Sequence, residues 1–410
     1  MRKRNTAHSI DVAEQQHWYL LGLDQLIVDI EVHGPTELAK QYGLAPGESV
    51  LLDDIQHKEL MRKIEKEGLE LRISPGGAVG NTVNNFTFLS GEPAIMLGAI
   101  DHCIYPGSPS FQYVAKTPMA VDLSHVVPLP GNMAVALTFI SPDGERSFAV
   151  TPGISSDYPP EAIEEKVVKD SSAAMTTLYC LREETWPIAR AARRMMEMAS
   201  KHGVPVAFGL GTSSLVRQNK EITQEILSRY VTIAAMNSAE AEALTGEKDA
   251  LIACRQLLEL VDMVIITEGP HGLTMGGYVD ERFKRETDQP IRSKSIEEYN
   301  RWEYSRLMTR DSCKQPLKIY THIHPYHGGP KLLRNTNGAG DAALAAVLHD
   351  VVANSYHRAT VPDSKKHTTG VEFLSYSSLS RIAQYGNRVA YEVLKGCSPR
   401  LDSTVGSDTD

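Results

Sequence analysis

Apolar residues follow three regimes along the chain. Residues 18–32 form a nearly continuous apolar run that reads as one buried strand, interrupted by Asp24 and Asp29. Five positions apart on a regular strand, those two carboxylates point to opposite faces, so at most one should face a given pocket. Residues 131–150 alternate around Ser141-Pro142-Asp143-Gly144 and predict a hairpin. From residue 173 the rhythm becomes strand then helix. Strands are predicted at 173–181, 204–210, 231–236 and 261–267, with helices near 186–202, 217–229 and from Ser238. That alternation predicts a mostly parallel α/β sheet with helices on its faces, and the hairpin-rich first third adds a smaller β element. Residues 279–325 break the rhythm with charged and aromatic positions (Glu281 to Arg285, Tyr299, Trp302, Tyr304) and predict an insertion with its own helix. Polar ends at 1–16 and beyond Pro399 predict poorly ordered tails around one body spanning 17–398.

Composition changes this picture little. The 410 residues carry a formal net charge of −9 and 42% hydrophobic content, an ordinary globular balance. No Lys/Arg stripe suggests a nucleic-acid partner, and no apolar run approaches the roughly 18 residues of a membrane span. The start Met1-Arg2-Lys3-Arg4 leads into polar residues, unlike a secretory signal. Five cysteines without a CxxC pair suit a reduced, cytoplasmic setting.

The candidate chemistry lies in glycine-rich segments. Asn337-Gly338-Ala339-Gly340-Asp341 opens into the run Ala342 to Leu348. Bare backbone N–H groups at a helix start attract anionic oxygens. Asp341 beside them could take a proton from a hydroxyl, which suits phosphoryl transfer to an alcohol, although the same residues also make an ordinary helix start. Gly76-Gly77 turn the chain ahead of Asn81, whose donor and acceptor suit a sugar diol. Asn237 and Glu240 fall where a strand meets a helix, a ligand-binding edge in parallel sheets, and equally a capping box. Thr267, Gly269 and Gly272 again follow a strand. The histidines of His322-Ile323-His324-Pro325-Tyr326-His327 lack a Cys or acidic partner and read as surface loop residues. No GxGxxG follows the first strand, which disfavours a dinucleotide-dependent oxidoreductase.

The order of these segments, with the turn Asp143-Gly144-Glu145-Arg146, resembles the ribokinase-like (PfkB) carbohydrate and nucleoside kinases. Gly22 to Glu31, Met236 to Gly246, Gly328-Gly329-Pro330, Asn335 to Asp341 and the stretch Leu348 to Arg358 are most similar to the family's bacterial inosine-guanosine kinase branch. The resemblance implies a ribokinase-like fold whose small β lid is drawn from parts of 26–75 and 111–150. It implies ATP-dependent phosphorylation of the ribose 5′-hydroxyl of inosine and guanosine, giving IMP and GMP, with adenosine kinase or sugar kinase as the alternative. Asp341 would be the base, and Gly338, Ala339 and Gly340 the anion hole. Asp29, Gly76, Gly77 and Asn81 would bind the sugar, with Asp24 as a second choice to Asp29. Asn237, Glu240, Thr267, Gly269, Gly272 and Asn387 would serve ATP and Mg²⁺, Glu240 through water. Many family members place Asp where this chain has Asn335, beside a monovalent-cation site, which takes away one reason to expect K⁺ dependence. The expected partners are a purine nucleoside and ATP, with neither nucleic acid nor membrane, and a homodimer is compatible with the sequence.

Overall fold

The computed structural model describes residues 18–33, 40–44, 49–140, 146–289, 295–296, 298–333, 336–367 and 370–401. The polar segment 1–16, the hairpin turn at 141–144 and Asn335 lie outside them.

In chain order the strands are β1 (Leu20–Leu23), β2 (Ile27–His33), β3 (Ser49–Leu51), β4 (Glu70–Pro75), β5 (Ala94–Asp101), β6 (Val121–Asp122), β7 (Val126–Leu129) and β8 (Ala134–Ile140). They continue with β9 (Arg146–Thr151), β10 (Ala173–Thr177), β11 (Val206–Gly209), β12 (Ile233–Asn237), β13 (Met263–Thr267), β14 (Leu273–Asp280) and β15 (Pro316–Ile323). The larger sheet runs β15-β14-β13-β12-β11-β10-β1-β5-β6, and β7 also pairs with β5. From β13 to β6 every pairing is parallel, while β14 and β15 add an antiparallel edge.

Successive residues of β1 enter opposite cores, as a strand buried on both faces requires. Leu20 joins Val79, Phe86, Leu344 and Ile382 on one face. Leu21 and Leu23 join Met195, Ile226 and Leu257 on the other. Helices Ala78–Ser90, Ala339–Thr360 and Leu379–Lys395 cover the first face, and Pro187–Lys201, Lys220–Tyr230 and Ala250–Leu257 the second. The alanine run after Asp341 has a packing reason. A Cβ at Gly386 would stand 3.3 Å from the Ala343 carbonyl oxygen, so the last two long helices cross with their backbones nearly touching.

The smaller sheet has the order β3-β9-β8-β2-β4. The predicted hairpin is present, β8 and β9 pairing antiparallel from Val135↔Thr151 to Ile140↔Arg146.

Four expectations change. The apolar run 18–32 is two strands in two different sheets, because the chain leaves β1 at Asp24-Gln25-Leu26. The N-cap of helix Ala78–Ser90 is Gly77, which has no side chain, and the Asp24 carboxylate accepts the Val79 N–H instead at 3.1 Å. The described residues of 279–325 contain no α-helix. They comprise the end of β14, short 3₁₀ turns and β15, with Tyr299 entering one core and Trp302 and Leu307 the other. Finally, Arg400 and Leu401, read as the start of a polar tail, are buried. The predicted helix at 217–229 is also interrupted, Asn219 separating Ser213–Gln218 from Lys220–Tyr230.

Candidate functional site

The carboxyl ends of the parallel strands converge on one cavity of about 1310 Å³. Asp24 beyond β1, Thr177 of β10, Gly209 of β11, Asn237 of β12 and Thr267 of β13 all line it. This is the edge where open α/β sheets hold ligands. Ser49, Asp29, Ala136 and Phe148 of the smaller sheet form the facing wall, so that sheet stands over the cavity as a lid would.

At one side the helix Ala339–Thr360 begins. Gly338 adopts φ +78, a left-handed conformation suited to glycine, and offers no side chain to cap the first turn. A Cβ on Gly340 would meet nothing within 4 Å, so no side chain crowds the first turn there. Gly338, Ala339, Gly340 and Asp341 all line the cavity. A helix start without a side-chain cap, with a carboxylate in its first turn, has the chemistry to receive an anionic oxygen.

Asn81 Nδ2 donates to Asp341 Oδ2 at 3.1 Å, and Asn337 Nδ2 donates to Asp29 Oδ2 at 3.4 Å. The helix start is thereby tied both to the Gly-rich turn and to the smaller sheet. Burial pushes the Asp341 carboxyl up to about 7, the Asn81 bond opposing and the charge of Asp29 adding to the shift. Burial likewise raises Asp24 to about 7 against the backbone donors that hold it. Glu240 is buried and pushed up to about 8.

The bend at 24–26 has a consequence that a single strand would forbid. Asp24 and Asp29 both line the cavity, contrary to the expectation that only one could. They differ in what occupies them: Asp24 receives the helix N–H, whereas Asp29 stands on the lid strand opposite Asn337. Gly77 lines the cavity and Gly76 does not. The role of Gly76 is one of fit, since a Cβ there would come within 2.4 Å of the Asp29 carboxyl carbon.

Asn237 and Glu240 form a capping box on the cavity wall. Asn237 N donates to Glu240 Oε2 at 3.1 Å and Glu240 N to Asn237 Oδ1 at 2.9 Å, a complete capping box. Asn237 Nδ2 also donates to Glu240 Oε1 at 2.7 Å, and both residues line the cavity. Thr267, Gly269, Gly272 and Asn387 lie on the cavity wall as well, where Asn387 Nδ2 donates to the His324 carbonyl at 2.6 Å. Beside them Tyr326 and Tyr391 meet edge to face with centroids 5.2 Å apart. Among the described residues no group of three or more His, Cys, Asp or Glu side chains is placed to hold a metal.

Several site residues carried no sequence signal. Arg182 lines the cavity and its Nη2 donates to Ser49 Oγ at 2.8 Å, joining the main body to the smaller sheet. Arg400 donates from Nε to Asn81 Oδ1 at 3.1 Å. Isolated arginines outside any motif look like surface residues, and only three-dimensional proximity marks them. The Asn337 contact lay inside a quoted motif, but no spacing rule pointed it at Asp29.

A bare helix start with a carboxylate at its rim, set at the carboxyl edge of a parallel sheet and faced by a second small sheet, is the architecture of small-molecule kinases. Known proteins agree with that class. The profile of the pfkB family carbohydrate kinases matches residues 118–283. The guanosine-inosine kinase of Escherichia coli (strain K12) is 40% identical over 384 residues, covering 93% of this chain and 88% of that protein. The chain belongs to the pfkB carbohydrate kinase family. Solved structures of low identity share the fold. A probable sugar kinase from Rhizobium etli CFN 42 superposes with a TM-score of 0.70 at 17% identity, over 95% of this chain and 96% of its own. The adenosine kinase of Sinorhizobium meliloti gives 0.69 at 18% identity, over 95% and 98%. No helix among the described residues is long and apolar enough to cross a membrane.

Proposed function

We propose that this protein transfers the γ-phosphoryl group of ATP to the ribose 5′-hydroxyl of inosine or guanosine, giving IMP or GMP and ADP. The observation that carries the chemistry is the convergence of Asp341, Asn81 and Asp29 on one cavity beside an open helix start. The choice of acceptor leans on the similarity to guanosine-inosine kinase over most of the chain.

In this reading Asp29 and Asn81 hold the ribose and aim its 5′-oxygen at the helix start. Asp341 accepts the hydroxyl proton as the P–O bond to ADP breaks, and releases it after product leaves. A carboxyl near 7 suits a base working at neutral pH. The N–H groups of Gly338, Ala339 and Gly340 stabilise the charge developing on the transferred group, and closure of the smaller sheet excludes water. Thr267, Gly269, Gly272 and Asn387 line the ATP side.

The buried oxygen donor Glu240 suits a hard cation that keeps most of its water, as Mg²⁺ does. Bound with ATP through water on Glu240, Mg²⁺ would neutralise phosphate charge. Asn335 removes one attraction for K⁺. The five free cysteines favour a cytoplasmic setting.

Steady-state assays with ATP and Mg²⁺ on inosine, guanosine, adenosine and ribose test the reading. Inosine and guanosine should be phosphorylated at the 5′-oxygen with the highest kcat/KM. Turnover of ribose or fructose without any nucleoside would reject the substrate, and turnover of adenosine alone would reject the base preference.

A further inference from the structure

The chain beyond the last long helix is fastened by asparagine side chains. Asn85 Nδ2 donates to the Pro399 carbonyl at 3.3 Å and Asn85 Oδ1 accepts the Leu401 N–H at 2.7 Å. Asn84 Nδ2 reaches the Leu401 carbonyl at 3.5 Å. Both asparagines are buried on helix Ala78–Ser90, so their amides pair with the strap much as a neighbouring strand would. At the other side Pro399 presses on the start of helix Ala339–Thr360, where a Cβ at Gly338 would lie 2.5 Å from its carbonyl oxygen. Only glycine at 338 admits the strap.

Held between these fastenings, Arg400 is buried against the Gly-rich turn at 7% exposure. Its Nε donates to Asn81 Oδ1 at 3.1 Å and its Nη2 to the Gly76 carbonyl at 3.3 Å, with the guanidinium carbon 5.8 Å from the Tyr113 ring centre. Burying a guanidinium is costly, and an apolar side chain would fasten a strap as well. What the arginine alone supplies is direction. An asparagine amide can be turned either way round; a donor at Oδ1 leaves Nδ2 as the end that meets Asp341.

We propose that Arg400 is a positioning residue for phosphoryl transfer, orienting the Asn81 amide so that an N–H and never a carbonyl oxygen faces the base Asp341. The inference rests on the kinase reading above. Its charge has a second effect. Asp341 is faced by Asn81 and Thr82 of helix Ala78–Ser90, Asp29 of β2, Asp24 after β1, Glu240 and Tyr179 across the cavity, and Arg400 from the strap. Among these, Arg400 is the cation, and its charge lowers the Asp341 carboxyl in the same direction as the larger effect of the Asn81 hydrogen bond.

The test compares wild type with Arg400→Lys, Arg400→Met and Leu401→Ala in full pH–rate profiles. Arg400→Met should lower kcat about 10²-fold with nucleoside KM little changed. It should also move the acid limb of kcat/KM to higher pH. Arg400→Lys should keep the acid limb, because the charge stays, yet lose about tenfold in kcat because an ammonium cannot donate in the same fork. Leu401→Ala loosens the strap and should lower Tm without moving the acid limb. Folded Arg400 variants with wild-type kcat and wild-type profiles would overturn the proposal, however far Tm falls. Should Arg400→Met fail to fold, wild-type kcat in Arg400→Lys overturns it alone. The profiles are read on whichever alcohol the wild type phosphorylates. Inactivity on nucleosides therefore counts against the substrate reading, and an unmoved kcat counts against Arg400.

Discussion

At the scale of single residues, the site concentrates three carboxyls that burial holds protonated further up the pH scale than usual: Asp24, Glu240 and Asp341. Asp341 must be ionised to accept a proton. With its carboxyl near 7, kcat/KM should rise as pH climbs from 6 to 8 and fall below 7. A profile flat from pH 5.5 to 8 would remove Asp341 as the titrating base. Glu240 sits between a capping role and a cation role, and one substitution separates them. Glu240→Gln can keep an acceptor for the Asn237 N–H but can no longer ionise. It should raise the Mg²⁺ concentration for half-maximal rate about 10-fold or more, as loss of a water-mediated ligand does elsewhere, while nucleoside KM changes little. An unchanged Mg²⁺ titration would leave Glu240 as a cap only.

At the scale of elements, the Gly-rich turn and the strand ends are tuned by close contact. Gly77 has φ +84, and a Cβ there would stand 2.6 Å from Asp24 Oδ2. Gly77→Ala should cost roughly 1–3 kcal/mol, the usual strain of such a backbone on a residue with a side chain, read as a lower denaturation midpoint. The bond from Arg182 to Ser49 joins lid to body. Arg182→Ala should raise nucleoside KM and increase ATP hydrolysis in the absence of nucleoside, measured as ADP release. The parallel sheet and the hairpin were legible because buried strands and amphipathic helices impose different periods on the chain. The motif order carried Asp341, Asn81 and Asn237 to one strand edge for the same reason, since each follows a strand or opens a helix. What stayed hidden depends on contacts remote in sequence. The bend at Asp24 looks like a polar flaw in one strand until helix Ala78–Ser90 supplies its N–H. The 279–325 segment looks like an insertion with its own helix because its buried residues Ile296, Tyr299 and Trp302 recur every third position, although they anchor turns into the two cores. Arg400 belongs to a polar tail by composition and meets the site through Asn81, 319 positions away, and Gly76.

At the scale of the whole molecule, the buried carboxyls couple activity to stability. Each has a folded-state pKa above its unfolded value of about 4. The native state therefore holds protons more tightly than the unfolded chain does. The stabilisation is fully present below about pH 4 and is lost as pH rises through 7 to 8. Ligand-free protein should melt at a lower temperature at pH 8.5 than at pH 6, and Asp24→Asn should flatten part of that slope. An equal slope in the variant would mean that Asp24 ionises as freely folded as unfolded. The proposed function depends at this scale on one arrangement: two sheets facing a helix start whose rim carries Asp341. The most direct measurement compares wild type and Asp341→Asn in one preparation, reading both inosine binding by calorimetry and inosine-dependent ADP production. The account predicts that binding survives while turnover falls by roughly 10²–10⁴-fold. Turnover equal to wild type in a variant that binds inosine normally would contradict it.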